Sequence, residues 1–126
     1  MSSGEETPDK SGLPINQNTY GTSSNVDIDK LAYAVAMAET GDCTKGYGLQ
    51  YNNCFGLKNG SIVPCETGAN RMCIFESKEE AYEAFKKVWL EGYGERFPTT
   101  ADADAWTGKD RRDTWLNAVK QFYYDN

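Results

Sequence analysis

The 126-residue chain contains no histidine, the side chain most often used for acid/base catalysis and zinc ligation. Histidine-based triads and most zinc hydrolase sites are therefore excluded, and acid/base chemistry must come from carboxylates, tyrosines, lysines or thiols. Positive charge is also scarce, because 13 lysines and arginines stand against 19 acidic residues, a net charge of -6. This balance argues against nucleic acid or an anionic membrane as a partner. We expect no metal ion and no cofactor.

Long apolar segments are also missing. No run approaches the roughly 20 apolar residues that cross a bilayer, and the first ten residues, MSSGEETPDK, lack the apolar part of a signal peptide. We therefore expect a soluble protein without membrane insertion, whose export signal is absent from this chain or was removed. The length suits one compact domain, and we expect a monomer.

The cysteines form an even set within one short segment: Cys43, Cys54, Cys65 and Cys73. Two disulfides in an oxidising compartment fit this set, which predicts an extracellular or periplasmic location. We favour Cys43 with Cys54 and Cys65 with Cys73, because both pairs close short local loops, while the other two pairings stay open. Four reduced, buried thiols and a zinc site are the alternatives. Gaps of ten, ten and seven residues lack the paired Cys-x-x-Cys ligands typical of zinc.

The chain divides into a tail and one domain. Residues 1–24 are rich in Ser, Gly, Thr, Asn and Pro, which indicates a flexible N-terminal tail or linker before a domain at residues 25–126. A first helix should begin near Asn25 to Asp27, with Asn25 as its cap. It should end near Gly41, where glycine interrupts the helical pattern.

The segment from residue 41 to about 76 is dense in Gly, Asn and Cys and predicts an irregular lobe with, at most, a small β-hairpin. Ser77 followed by Glu80 forms a capping box that opens a second helix, predicted over residues 78–91. Two further helices are predicted over residues 101–107 and 110–124. The fold class is therefore mainly α, with a disulfide-tied lobe after the first helix. Trp89, Trp106 and Trp115 are expected in the core.

A glutamate interrupts the apolar stripe of the first helix. At about 100° per residue, Ile28, Leu31, Ala32 and Val35 share one face, and Glu39 falls at the centre of that face. Partial desolvation and the negative end of the helix dipole would both raise its pKa. A carboxyl group that is neutral near pH 7 suits a general acid, as glycosidases require. The alternative is an ordinary glutamate turned to solvent where the helix ends.

The segments AMAETG and NNCFGLK, with Glu39 thirteen residues before Asn52, resemble the pattern of bacterial peptidoglycan glucosaminidases of the lysozyme-like superfamily. CIFESKEEAYEAF is similar to the next segment of that family. The resemblance covers roughly residues 28–90, about half of the chain. Thr40 stands where the family usually has serine, and Asp42 and Cys43 stand where a tryptophan-glycine pair often follows. No later tyrosine motif is matched.

The resemblance implies a lysozyme-like helical fold with a cleft between two lobes. It implies that Glu39 is the general acid on β-1,4 bonds between N-acetylglucosamine and N-acetylmuramic acid in peptidoglycan glycan strands. It also implies that Asn52, Asn53, Phe55 and Gly56 shape the cleft floor. A non-catalytic lysozyme-like module that binds glycan or protein, and a small disulfide-rich interaction domain, are the competing hypotheses.

The resemblance further suggests a second acidic residue on the lobe, for which Glu66 in PCETG is the first candidate and Glu76 the alternative. It would activate water or stabilise the oxocarbenium-like transition state. Lytic transglycosylases of the same superfamily use one glutamate, with the 6-hydroxyl of the sugar as nucleophile, and GYGLQ is similar to one of their segments. That mechanism is preferred if Glu66 is not involved. Tyr47 and Tyr93 are candidates for sugar contacts, because aromatic side chains in loops offer flat faces to sugar rings.

Overall fold

The computed structural model describes residues 26–125, and these residues are mainly helical. The helices are α1 (Ile28–Thr40), α2 (Gly46–Tyr51), α3 (Lys78–Gly92), α4 (Thr100–Thr107) and α5 (Arg112–Tyr124). A 3₁₀ turn, Ala69–Arg71, lies in the lobe between α2 and α3. The tail predicted at residues 1–24 lies outside the described residues. No helix within residues 26–125 has the length and apolarity to cross a membrane.

The N-cap of helix α1 lies two residues after the expected one. Asp27 is the N-cap, and its side chain accepts a hydrogen bond from the backbone N–H of Lys30. The prediction of Asn25 as the cap was therefore wrong, and Asn25 itself lies outside the described residues. At the other end Gly41 adopts the left-handed conformation, with φ of 58°, and donates to the Met37 carbonyl.

The start of α3 at Lys78 is confirmed, but its capping box is only half formed. The Ser77 hydroxyl accepts from the Glu80 N–H at 3.1 Å, as expected. The Glu80 carboxylate instead accepts from the N–H of Glu76 at 2.7 Å. Helices α4 and α5 are also confirmed, with starts that differ from the predicted ones by one and two residues.

Helix α2 was not predicted, because its sequence GYGLQY carries two glycines and no apolar stripe. The structure shows why one of them is glycine. A Cβ atom on Gly48 would lie 2.8 Å from the Thr40 Cβ and 2.7 Å from the Cys43 Cα. Helix α2 therefore packs directly against the end of α1.

The lobe is irregular and contains no β-hairpin within the described residues, only two isolated bridges, Lys58 with Met72 and Thr67 with Cys73. Two disulfides hold it, and their pairing is the favoured one, Cys43–Cys54 and Cys65–Cys73. The first disulfide ties the lobe to the end of α1, and the second closes a loop within the lobe. The coarse prediction of a mainly helical fold with a disulfide-tied irregular lobe is confirmed.

The core is built around α1, which packs against α5, α3 and α2. Its apolar stripe is fully buried at Leu31 and Val35, and α5 contributes Val119. Trp89 and Trp115 are buried as expected, at 0% and 3% exposure. The last turn of α1 thus emerges from a packed core, and Glu39 lies in that turn.

Candidate active site

Glu39 lies in the last turn of α1 and is half-buried. Its Oε2 atom accepts a hydrogen bond from the indole Nε1 of Trp106, on α4, at 2.9 Å. Burial raises the pKa of Glu39, while Trp106, Trp115 and the positive charge of Arg111 act in the opposite direction and only partly offset it. The pKa of Glu39 is therefore raised, in the direction that the sequence pattern predicted.

A second indole lies beside the same carboxyl group. Trp115, on α5, is close enough to Glu39 to lower its pKa, but the contact does not reach hydrogen-bond geometry. Within residues 26–125 the buried Nε1 of Trp115 has no hydrogen-bond partner. A buried donor without a partner is uncommon in a folded protein and calls for an explanation.

Thr40 fixes the end of the helix that carries Glu39. Its hydroxyl donates to the Cys54 carbonyl at 2.8 Å and accepts from the Cys43 N–H at 2.9 Å. These two residues form the adjacent disulfide. The hydroxyl and the disulfide therefore both tie the end of α1 to the segment at Cys54, and they hold the backbone next to Glu39 in place.

Asp42, at the position where the family that the sequence resembles often has tryptophan, links this corner to α3. Its carboxylate accepts from the Tyr82 hydroxyl and forms an ion pair with the Lys78 Nζ at 2.6 Å. Burial raises the pKa of Tyr82, and the bond to Asp42 adds to that rise, so the phenol stays a donor. Asp42 thus serves the packing of α3 against the end of α1.

The ring of Trp106 lines an open groove of about 430 Å³ between the lobe and helices α3 and α4. The remaining lining residues are Gly56, Leu57, Lys58, Gly60, Ser61, Ile62, Val63, Val88, Tyr93 and Ala105. Two of the residues expected at a cleft, Gly56 and Tyr93, are among them. None of these lining residues is acidic, and Glu39 does not line the groove. Glu39 is linked to the groove by the hydrogen bond that it accepts from Trp106, a lining residue.

Aromatic rings support this wall of the groove. Tyr93 stacks on Trp89, with ring centroids 4.2 Å apart, and meets Trp106 edge-on at 5.9 Å. Trp106 also packs edge-on against Phe85 at 5.6 Å. The two rings at the groove are therefore held by core rings behind them, which leaves their exposed faces in fixed positions.

Asn53 was expected to contact substrate, but its side chain is fully buried. Its Nδ2 donates to the carbonyls of Leu57 and Cys73 at 2.9 and 3.1 Å, and its Oδ1 accepts from the Leu57 N–H at 2.9 Å. Asn52 occupies the left-handed cap of α2 and donates to the Phe75 carbonyl. Both asparagines shape the loop, and the side chain of Asn53 is not available to a ligand.

Phe55 was also expected at the cleft floor, but its side chain, like that of Asn53, is buried. Its ring is 1% exposed and stacks on Phe85 at 4.5 Å, inside the core. The contribution of this segment to the groove comes from Gly56 and the residues after it. The motif thus identified the correct loop, although the loop presents different atoms.

Tyr47 is not placed at the groove. Its hydroxyl contacts Asn70 Nδ2 at 2.6 Å, and its ring stacks on Tyr51 at 5.6 Å. The Tyr51 hydroxyl in turn accepts from the Ala69 N–H at 3.0 Å. The two tyrosines of α2 therefore hold the 3₁₀ turn of the lobe.

Glu66 and Glu76 do not line the groove that Trp106 lines. Both are exposed and line a neighbouring depression of about 550 Å³, together with Glu80 and Glu83, and this depression shares Ile62 and Val63 with the groove. None of the described contacts brings Glu66 to Glu39 or to Trp106. The predicted pair of carboxylates is therefore not assembled in this structure, and Glu39 is the acid next to the groove.

Trp106 is the site residue that sequence reasoning missed. It was expected in the core, yet its ring lines the groove and its N–H binds Glu39. The available signal was its place near the end of an eight-residue helix, TADADAWT, that has no apolar stripe to bury it. A large aromatic residue on such a helix has few core neighbours on its own element.

No group of three or more potential metal-ligating side chains occurs among residues 26–125. Comparisons with protein-family models, with curated proteins and with solved structures gave no match to this chain.

Proposed function

We propose that this protein cleaves β-1,4 glycosidic bonds of peptidoglycan glycan strands, with Glu39 as its acid/base group. The observation that carries the proposal is the raised pKa of a half-buried glutamate whose hydrogen-bond partner, Trp106, lines an open groove. A carboxyl group of this kind is suited to protonating a leaving oxygen. The resemblance of AMAETG and NNCFGLK to peptidoglycan glucosaminidases points to the substrate.

The arrangement favours the one-glutamate mechanism of the lytic transglycosylase type. Glu39 gives its proton to the glycosidic oxygen as the bond from that oxygen to C1 breaks. The 6-hydroxyl of the same sugar then attacks C1 and returns its proton to the Glu39 carboxylate, which yields a 1,6-anhydro sugar. This mechanism needs no second carboxylate, in keeping with a groove lining that contains no acidic residue and with the lack of any contact between Glu66 and Glu39 among residues 26–125.

The fold that this function implies is the lysozyme-like one, in which a helix end presents the acid beside a cleft. The mainly helical architecture and the irregular lobe support it. The two disulfides support a working location outside the cytoplasm, because such bonds form and persist in oxidising compartments. We place the substrate along the groove between the lobe and helices α3 and α4, with sugar faces against Tyr93 and Trp106. Its scissile bond would extend past Trp106 to Glu39, which does not itself line the groove.

The deciding experiment is digestion of purified peptidoglycan across about pH 4 to 8, with soluble products identified by mass spectrometry. The wild type and Glu66→Gln should both release anhydro-sugar fragments, and Glu39→Gln should release none while keeping its fold. Free reducing ends in place of anhydro sugars would identify water as the nucleophile. Full activity in Glu39→Gln would show that the mechanism is wrong.

A second candidate is a module that binds glycan without cleaving it. The observation in its favour is that Glu39 does not line the groove and that Asn53 and Phe55 are committed to packing. It predicts saturable binding of muropeptides, equal in the wild type and Glu39→Gln, with no product at any pH. Measurable turnover would rule it out.

A further inference from the structure

Two indole N–H groups from different helices converge on one carboxyl group. Trp106 on α4 donates to Glu39 Oε2 at 2.9 Å, and Trp115 on α5 lies beside the same group with a buried, unpartnered Nε1. The two rings are 6.4 Å apart between centroids. Trp115 is only 3% exposed. Its free donor therefore lacks water as an easy alternative partner.

The chemistry of indole makes this arrangement directional. An indole N–H can only donate, and it cannot change role when its partner gains or loses a proton. The Glu39 oxygen that it contacts must therefore remain an acceptor in both states of the carboxyl group. In a neutral carboxyl group the carbonyl oxygen is a better acceptor than the hydroxyl oxygen, so the Trp106 bond favours Oε2 as the carbonyl oxygen and Oε1 as the oxygen that carries the proton.

We propose that Trp106 is a positioning residue that keeps the exchangeable proton of Glu39 on Oε1, and that Trp115 supplies the second donor when Glu39 is ionised. The neutral acid then needs one indole bond, and the carboxylate can use both. The consequence for catalysis rests on the proposed function, whereas the consequence for the protonation of Glu39 is independent of it.

Trp106 is rigid enough for this role. Its ring packs against Phe85, Trp89 and Tyr93, with centroid distances of 5.6, 5.8 and 5.9 Å. Among the described residues of the elements around α1, Arg111 is the charged group close enough to affect the pKa of Glu39, and it favours the carboxylate. Arg111 is exposed, so solvent screens its effect, whereas the indole bond acts at contact.

The first test is carboxyl-carbon NMR of Glu39 across a pH titration, in the absence of any substrate. Trp106→Phe keeps an aromatic ring and removes the N–H. Both forms of Glu39 lose a donor, but the bond to the carboxylate is the stronger one, so the pKa of Glu39 should rise by about one unit. Trp115→Phe should raise it by less. Trp89→Phe is the matched control, because its indole donates to the Arg96 carbonyl, away from Glu39, and should leave the pKa unchanged.

A wild-type measurement keeps the test decisive if a tryptophan variant fails to fold. The indole N–H resonance of Trp106 should move with pH at the midpoint of the Glu39 carboxyl carbon, and that of Trp115 should move with the same midpoint. Neither change should occur in Glu39→Gln. Indole resonances that do not follow Glu39, or an unchanged pKa in a folded Trp106→Phe, would overturn the inference.

The activity profile separates this inference from the proposed function. If the wild type cleaves peptidoglycan, Trp106→Phe should move the high-pH limb of the rate profile upward by as much as NMR shows the pKa of Glu39 to rise, because the acid stays protonated to a higher pH. Coupled titration without any cleavage would support the indole pair and refute the proposed function. Cleavage without coupled titration would support the function and refute the role of the indole pair.

Discussion

Replacing Thr40 by valine should destabilise the fold through one buried and one half-buried backbone group. The Thr40 hydroxyl donates to the Cys54 carbonyl and accepts from the Cys43 N–H. Valine has nearly the same shape, so it opens no cavity, but it offers no hydrogen bond to either group. Thr40 is 7% exposed and Cys54 is fully buried, which leaves water little access to replace the lost partner.

The size of the effect follows from these contacts. A buried polar group without a partner costs about 1–3 kcal/mol, and the half-buried Cys43 N–H should fall at the low end. Together the two groups predict a loss of about 2–4 kcal/mol in the free energy of unfolding. For a domain of about 100 residues this lowers the Tm by roughly 8 °C or more.

Thr40→Ser is the matched control, because it keeps the hydroxyl and removes one methyl group, at about 1 kcal/mol. Urea unfolding of both variants with intact disulfides, followed by circular dichroism, should place Thr40→Val below Thr40→Ser by about 1 kcal/mol or more. Equal stability of the two variants would refute the reasoning, since it would mean that the hydroxyl bonds contribute no more than the methyl group, about 1 kcal/mol.

Three further variants test the same corner. Burial raises the folded-state pKa of Glu39 above the unfolded value near 4.5. The free energy of unfolding of the wild type should therefore fall as the pH rises from the unfolded pKa through the folded pKa. The loss is about 1.4 kcal/mol for each pH unit that separates the two pKa values. Glu39→Gln should therefore gain Tm over the wild type between about pH 4 and 8 in thermal unfolding, and a constant difference would contradict this. Gly48→Ala should cost about 1–3 kcal/mol in urea unfolding, because its Cβ would lie 2.7 Å from the Cys43 Cα. A gain near 1 kcal/mol, as at an exposed helical glycine, would show that this packing is loose. Asn53→Asp should cost more than about 3 kcal/mol at pH 7 by placing a carboxylate against two carbonyls, and acidification should recover part of that loss. An Asp variant as stable as the wild type would contradict the assigned role of Asn53.

The helices were predictable where local chemistry decides them. Ser77 caps α3, Gly108 ends α4, and the stripe of α1 matches its buried face. Helix α2 was not, because its two glycines oppose helix formation locally and the helix depends on close packing of Gly48 against Thr40. Contacts between distant segments of the chain leave no local pattern in the sequence.

The candidate site was predictable to the same extent. Helical periodicity placed Glu39 on the buried face of α1, and its side chain is half-buried in the structure. The motif placed Asn53 and Phe55 near the cleft, but it could not give the direction of their side chains, and both point into the packed interior. Trp106 is 67 residues from Glu39 in the chain. Only the packing of α4 onto the core brings the two together.

The position of Glu39 is costly for folding, and its surroundings limit that cost without removing it. Burial and the negative end of α1 disfavour the carboxylate, and a glutamine there would keep the Trp106 bond without carrying a charge. Two indole N–H groups and Arg111 favour the ionised form only partly, so the pKa remains raised. A structural ion pair would be expected to compensate the charge of the carboxylate fully, whereas an acid/base group must be able to adopt both its protonated and its ionised form. This incomplete compensation, together with the position of Trp106 at the groove, is the physical reason for proposing Glu39 as the acid/base group.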